Sequence, residues 1–289
     1  MTHGPKRIAI CAPAAPLPRE IAARVEELAR DEFPQLDLRF HEQCFVEDGH
    51  FAGADSVRLD AFLECANDPD VSAVWFAKGG YGSNRIARAA IEGLGDAAAR
   101  KSYLGYSDCG TLLGALYRAG IGRPVHAPMP LDIKRDGGAD AVRRSLAWLA
   151  ADRSGIEPHV GSDGAPVAAF NLMTLAMLVG TEFMPDLSGH VVMIEEVAEH
   201  LYAIDRLMFH VTQHLAREQG IRGIRLGAVT HVPENDRPFG GDAETIVRDW
   251  CARSGIAYLG RAEIGHTSSN RIVPFGPVEA GVVEAVPPA

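Results

Sequence analysis

Tyr103-Leu104-Gly105-Tyr106-Ser107-Asp108-Cys109-Gly110 runs directly into Thr111-Leu112-Leu113-Gly114-Ala115-Leu116-Tyr117. A hydrophobic approach, a serine set between two glycines and then an apolar run read as strand, tight turn and helix. A serine on such a turn can be thrust clear of the sheet, with the next backbone N–H beside it and a helix N-terminus beneath it. Those are the needs of an activated nucleophile with an oxyanion site. The second glycine falls one place late for the usual G-x-S-x-G elbow, and a serine that opens a helix equally serves as its N-cap. Taken alone, the stretch leaves both roles open.

Working outward, the same alternation repeats. Residues 8–12 read as a buried strand, followed by an irregular loop from Pro13 to Pro18. A helix from about Arg19 carries Ile21, Val25, Leu28 and Ala29 on one stripe, and Pro34 ends it. Leu36, Leu38 and Phe40 alternate as a half-buried strand, and residues 54–66 form a helix. Val71 to Ala77 is a strand that ends in Lys78-Gly79-Gly80-Tyr81-Gly82, with a helix from about Ser83. The expected fold class is therefore α/β with a layered, mainly parallel sheet. Ligands of such sheets sit outside the carboxyl ends of the strands, the edge shared by Gly79-Gly80 and Ser107.

Beyond Gly120, residues 124–128 read as a short strand or turn and 141–151 as a helix. Residues 152–165 are rich in Gly, Asp, Ser and Pro and read as a linker, which sets two domains, 1–155 and 165–289. The second half reads as a helix over 171–180, a strand over 190–194 ending in Glu195-Glu196, and a helix over 201–218. Strands follow near 224–231, 257–263 and 271–274, with a helix over 246–254.

At 289 residues, with 47% hydrophobic and 23% charged content, the composition is that of a soluble globular protein. A net charge of -10 without a basic stripe argues against nucleic acid or an anionic membrane as main partner. The N-terminal apolar run is too short for a signal-peptide core, so a cytoplasmic protein is expected. Cys11, Cys44, Cys65, Cys109 and Cys251 are odd in number and form no C-x-x-C pair, which disfavours a disulfide framework or structural zinc.

Three polar features lie at expected strand ends or loops: Ser107, Glu195 with Glu196, and Gly265-His266-Thr267. Serine, acid, histidine is the chain order of the α/β-hydrolases. The chemistry needs an imidazole to take the hydroxyl proton and a carboxylate to hold its tautomer. Glu195 reads equally as a solvated acid at a strand end, and His266 as a loop histidine capping backbone groups. The Lys78–Gly82 glycines supply either turn geometry or N–H groups for an anion; a P-loop is excluded because no G-K-[ST] follows. His210 and His214 share a helix face but lack the Glu of H-E-x-x-H. Cys109 reads as a small buried helix residue, with no base beside it.

In this order, Lys78-Gly79-Gly80-Tyr81-Gly82, Leu104-Gly105-Tyr106-Ser107-Asp108, Met193-Ile194-Glu195-Glu196-Val197 and Gly265-His266-Thr267-Ser268-Ser269-Asn270-Arg271 resemble the signatures of the LD-carboxypeptidases. That serine peptidase family includes muramoyltetrapeptide carboxypeptidases and microcin C self-immunity peptidases. The resemblance implies an N-terminal Rossmann-like domain with the nucleophile and a smaller C-terminal α/β domain with the acid and the histidine. It implies Ser107 as nucleophile, His266 as general base, Glu195 as its orienting acid, and the N–H groups of Gly80 and Asp108 as the oxyanion hole. Substrate-binding candidates are Lys78, Gly79, Tyr81, Arg85, Asn171 and Arg271. Lys78 stands where the family often has arginine, and Ala169-Phe170 precedes Asn171 where it often has Gly-Gly. No metal or cofactor is implied. The expected partner is a small peptide, either a murein tetrapeptide cut before D-Ala or a peptidyl-nucleotide, and the expected assembly a homodimer. A non-catalytic binding module that keeps the cleft is the alternative from another class.

Overall fold

Every side chain of Ile8-Ala9-Ile10-Cys11 is buried, the pattern of a strand covered by helices on both faces. The computed structural model describes residues 4–277. In chain order the first half forms β1 (Lys6–Cys11), α1 (Arg19–Glu32), β2 (Leu36–Phe40), α2 (Asp55–Asn67), β3 (Ala73–Phe76), α3 (Ser83–Glu92), β4 (Ser102–Gly105), α4 (Gly110–Ala119), β5 (Arg123–His126) and α5 (Gly138–Leu149). Ile21, Ala22, Val25 and Ala29 form the buried stripe of α1, which is the helical period at work. The second half forms β6 (Val167–Asn171), α6 (Leu172–Leu178), β7 (Val191–Val197), α7 (Leu201–His214), β8 (Gly223–Thr230), α8 (Ala243–Ser254), β9 (Tyr258–Arg261) and β10 (Val273–Pro274).

The first sheet runs β10-β5-β4-β3-β1-β2, with β1 to β5 parallel and β10 antiparallel on β5. Its order reverses between β1 and β3, the place at whose carboxyl edge such sheets hold their ligands. The second sheet, β6-β7-β8-β9, is parallel throughout. The architecture is α/β, as the alternation of periods implies.

Three differences from the sequence reading concern how the halves join. Residues 167–171 are a strand, where no strand is read from the sequence. All five of its residues are buried, so it lacks the polar–apolar alternation that marks a half-exposed strand. The strand expected at 271–274 leaves the second half and pairs with β5, Val273 opposite His126 and Pro274 opposite Val125. Pro274 is tolerated there because β10 is an edge strand. Gly276 then bridges to Val167, so one short segment stitches both sheets. The stretch expected as a linker is packed: Ile156 bridges Ile272, and Glu157 and Val160 are buried.

One apolar cluster accordingly spans both sheets, with Ile8, Trp75, Leu104 and Val125 of the first packed with Val167, Ala169, Val191 and Met193 of the second. Leu104 lies on the strand that delivers Ser107 and is fully buried. Leu104→Ala should therefore cost roughly 2–5 kcal/mol in urea unfolding; a loss under about 1 kcal/mol would show that the join is loosely packed.

Candidate active site

Ser107 follows β4 on a one-turn 3₁₀ segment, Ser107–Cys109, that leads into α4. Its φ of 58° is left-handed, a strained value for a residue with a Cβ and a mark of functional turns. No side-chain cap bond forms at either start; the hydroxyl faces His266 instead, with Oγ 3.2 Å from Nε2. The capping role is thus not realised, and the tight turn forms although its glycine is one place late. Close approach explains Gly79: a Cβ there would stand 3.0 Å from Ser107 Cβ and 3.1 Å from its Oγ.

Glu195, on β7, is completely buried, and its Oε2 accepts from His266 Nδ1 at 2.8 Å. A carboxylate only accepts, so Nδ1 carries the proton and Nε2 is left to receive one from Ser107. Gly265 lets the His266 loop press onto the second sheet: its φ is +126°, and a Cβ would lie 3.0 Å from Ala228 Cβ and 3.2 Å from Glu195 Cβ.

Other residues converge without an expectation from the sequence. Buried Asp132 accepts from Tyr106 Oη at 2.7 Å, from the Met129 N–H at 2.8 Å and from Arg135 Nε at 2.9 Å. Arg135 Nη1 donates to the His266 carbonyl at 2.9 Å, and the Tyr106 ring lies 4.8 Å from the imidazole. Arg144 Nη1 donates to the carbonyls of Ser268 and Asn270. Asn270 Oδ1 accepts from the Gly265 N–H and from His126 Nε2. From the other side, Thr174 Oγ1 donates to the Ser107 carbonyl at 3.3 Å. Side chains of the first half hold the histidine loop, and a threonine of the second half holds the serine. The Asx and aromatic positions behind these contacts lie far apart in the chain, so no local pattern marks them.

The substrate-binding candidates separate. Asn171 caps α6, accepting from the Thr174 N–H, and its amide donates to Glu196 Oε1 at 2.7 Å. Arg85 is paired with Asp55, and Arg271 with Glu263, so each is neutralised by an acid. Lys78 is half-buried, and no hydrogen bond or ion pair of its ammonium occurs among the described residues. Burial lowers its pKa, and the charge of Lys134 adds to the effect. Tyr81 is exposed and stands in an aromatic group with His50 and Phe51. Gly80 follows Gly79 in the loop beside Ser107, and Asp108 follows the serine itself.

Glu196 points to the opposite face of β7 from Glu195, where its carboxylate accepts from the Asn171 amide and the Met173 and Val197 N–H groups. Among the described residues no group of three or more His, Cys, Asp or Glu side chains is arranged to hold a metal. His214 pairs with Glu218. Cys109 is buried, donates to the Lys78 carbonyl and has its thiol pKa pushed up by burial, which removes it as a nucleophile.

The chain is similar to known proteins along most of its length. Models of the LD-carboxypeptidase N-terminal and C-terminal domains match residues 8–127 and 165–279. The murein tetrapeptide carboxypeptidase of Pseudomonas aeruginosa is 26% identical over 93% of this chain and 91% of its own length. Among solved structures, a muramoyltetrapeptide carboxypeptidase from Oxalobacter formigenes superposes with a TM-score of 0.76 at 22% identity, covering 96% of each chain. The microcin C7 self-immunity protein MccF in complex with glutamyl sulfamoyl guanosine does so at 0.76 and 17% identity, over 95% of this chain and 92% of that one.

Burial pushes the Glu196 carboxyl from its usual 4.5 to about 7, against the pull of its N–H donors. Its folded pKa lies above the unfolded one, so the stability it contributes is full below pH 4.5 and lost as pH rises to about 7. Urea unfolding across that window should show the wild type losing stability relative to Glu196→Gln; parallel curves would contradict the assignment.

Proposed function

The chain belongs to the LD-carboxypeptidase family of serine peptidases, and from that premise we propose that it hydrolyses the bond between an L-diamino acid and a terminal D-Ala in murein tetrapeptides. The observation that carries the reading is the meeting of three distant residues, with Ser107 Oγ 3.2 Å from His266 Nε2 and His266 Nδ1 2.8 Å from Glu195 Oε2. Ser107 Oγ attacks the carbonyl carbon before the terminal residue while His266 Nε2 takes its proton. The negative oxygen of the tetrahedral intermediate is received by the N–H groups of Gly80 and Asp108. Collapse breaks the C–N bond, His266 returns the proton to the leaving amine, and D-Ala departs. Water, deprotonated by the same imidazole, then attacks the Ser107 ester and releases the shortened peptide. Glu195, hydrogen-bonded to Nδ1, steadies the imidazolium in both halves of the cycle.

Recognition of a free C-terminus asks for a cation near the scissile bond. Lys78 fits that task, being next to Gly79 and without an acid partner among the described residues, whereas Arg85 and Arg271 are already paired. The proposal also takes the protein to be cytoplasmic, supported by five free, buried cysteines, and homodimeric, which rests on the family resemblance alone.

Turnover of a purified L-diamino-acid–D-Ala tetrapeptide tests the triad. Ser107→Ala should lose roughly 10⁴- to 10⁶-fold in kcat, and unchanged turnover would sink the assignment. An aminoacyl-sulfamoyl nucleoside assayed alongside supplies the competing substrate class; if it is cleaved much faster, the murein reading gives way to a peptidyl-nucleotide one. Lys78→Met should raise KM for the free-acid peptide by roughly 10- to 100-fold, the worth of a charge-assisted hydrogen bond. The C-terminally amidated peptide should be unaffected, and an equal effect on both would remove Lys78 from carboxylate binding.

A further inference from the structure

Helix α3 begins at Ser83, straight after the loop that carries Gly80. Its N-cap residue is Gly82, which has no side chain to offer, and no acid stands in its first turn. The opening N–H groups of a helix need acceptors, and the helix dipole favours an anion there. The acceptor comes from a different loop. Asp108 Oδ2 takes the Ser83 N–H at 2.9 Å, and Ser83 Oγ donates back to the Asp108 carbonyl at 2.6 Å. The two bonds run in opposite senses between the same pair of residues, one after β3 and one after β4.

The loop is fastened on its other side by Arg58. This guanidinium is fully buried and donates to the carbonyls of Gly82 at 2.8 Å, Gly53 at 3.2 Å and Pro13, while it pairs with Asp55. Burial pushes the Asp108 carboxyl up, whereas hydrogen bonding from Ser83 and Gly82 and the charge of Arg58 draw it down. An acid kept at some desolvation cost, where an apolar residue would pack more cheaply, has a positional task.

We propose that the Asp108 side chain, by capping α3 from the neighbouring loop, is a positioning residue that sets the spacing of the two oxyanion donors, its own N–H and that of Gly80. The proposal rests on the Ser107 acyl-enzyme reading and deepens it. Two donors on separate loops are useful only if held at one separation, since a displacement of about 1 Å costs up to roughly 100-fold in rate. The Ser83–Asp108 pair supplies a tie between those loops that does not depend on bound substrate.

The test combines three variants with two readouts. Ser83→Ala and Asp108→Asn keep the packing volume, and Asp108→Ala removes the carboxylate. Each is assayed for tetrapeptide kinetics and for affinity toward a peptide aldehyde, which forms a tetrahedral adduct on the serine. The expected result is a kcat lowered roughly 10- to 100-fold with KM near the wild-type value. Aldehyde affinity should fall by a similar factor, and Asp108→Asn, which retains one acceptor oxygen, should lose less than Asp108→Ala. A purely structural role would lower the melting temperature and leave kcat and aldehyde affinity in place, or would move KM alone; either overturns the proposal. If Asp108→Ala does not fold, Ser83→Ala and Asp108→Asn decide the matter. Fluorophosphonate labelling of the wild type separates the two levels. An unlabelled Ser107 overturns the acyl-enzyme reading and the clamp together, and a labelled Ser107 with unaltered variants overturns the clamp alone.

Discussion

The imidazole of His266 reaches Ser107 across the join between two sheets, and its 3.2 Å contact sets terms for much of the molecule. A hydrogen bond tolerates a few tenths of an ångström, so both sheets must be fixed to that accuracy. The means are visible on either side of the join. The β10 strand pairs with β5 and its continuation bridges β6, while one apolar cluster runs through both sheets. Arg135, Arg144 and His126 reach from the first half to hold the loop around His266, and Thr174 reaches from the second half to the Ser107 carbonyl. Each half therefore fixes the segment of the other that makes this contact.

Buried charge is the second organising cost. Glu195 and Glu196 are neighbours on β7, both sheltered from water, and the pleat sends them to opposite faces with different partners. Glu195 meets the histidine, where a negative charge has chemical value. Glu196 meets the N-terminus of α6, where backbone N–H groups and Asn171 surround it. Asp132 is a third case, satisfied by a tyrosine, an arginine and a backbone N–H. The three differ in how they are satisfied: Asp132 has a donor on each oxygen, burial still raises the Glu196 pKa against its donors, and Glu195 Oε1 has no hydrogen-bond partner among the described residues.

How much of this was legible depended on the range of the signal. The Ser107 turn could be read because strand, glycines and helix lie within fifteen residues, although the N-cap alternative could not be dismissed. Only the observed φ of 58° and the bearing of Oγ toward His266 decide between them. Lys78, Arg85 and Arg271 looked equivalent as cations, and their different partners separated them. Asn171 carried no sign that both ends of its amide are engaged. Nothing local marks Arg135 and Asp132, because their roles arise from contacts with Tyr106 and His266 that have no local periodicity. The Asp108 carboxylate is hidden for a related reason: a cap supplied from another loop leaves no capping box in either stretch.

The sequence by itself determined the alternation of strand and helix, the α/β class and the carboxyl edge shared by Gly79-Gly80 and Ser107, and its resemblance to the LD-carboxypeptidases singled out Ser107, Glu195 and His266. These follow from periodicity, turn chemistry and spaced motifs, all of which are local or strictly ordered along the chain. Tertiary structure decided that β6 is a strand, that β10 leaves its own half for the other sheet, and that the presumed linker is packed. It also decided which cation stands without an acid partner among the described residues and which carboxylates fasten the cleft. A buried strand has no polar alternation to show, and a hydrogen bond between residues a hundred positions apart depends on where two separately folding surfaces come to rest.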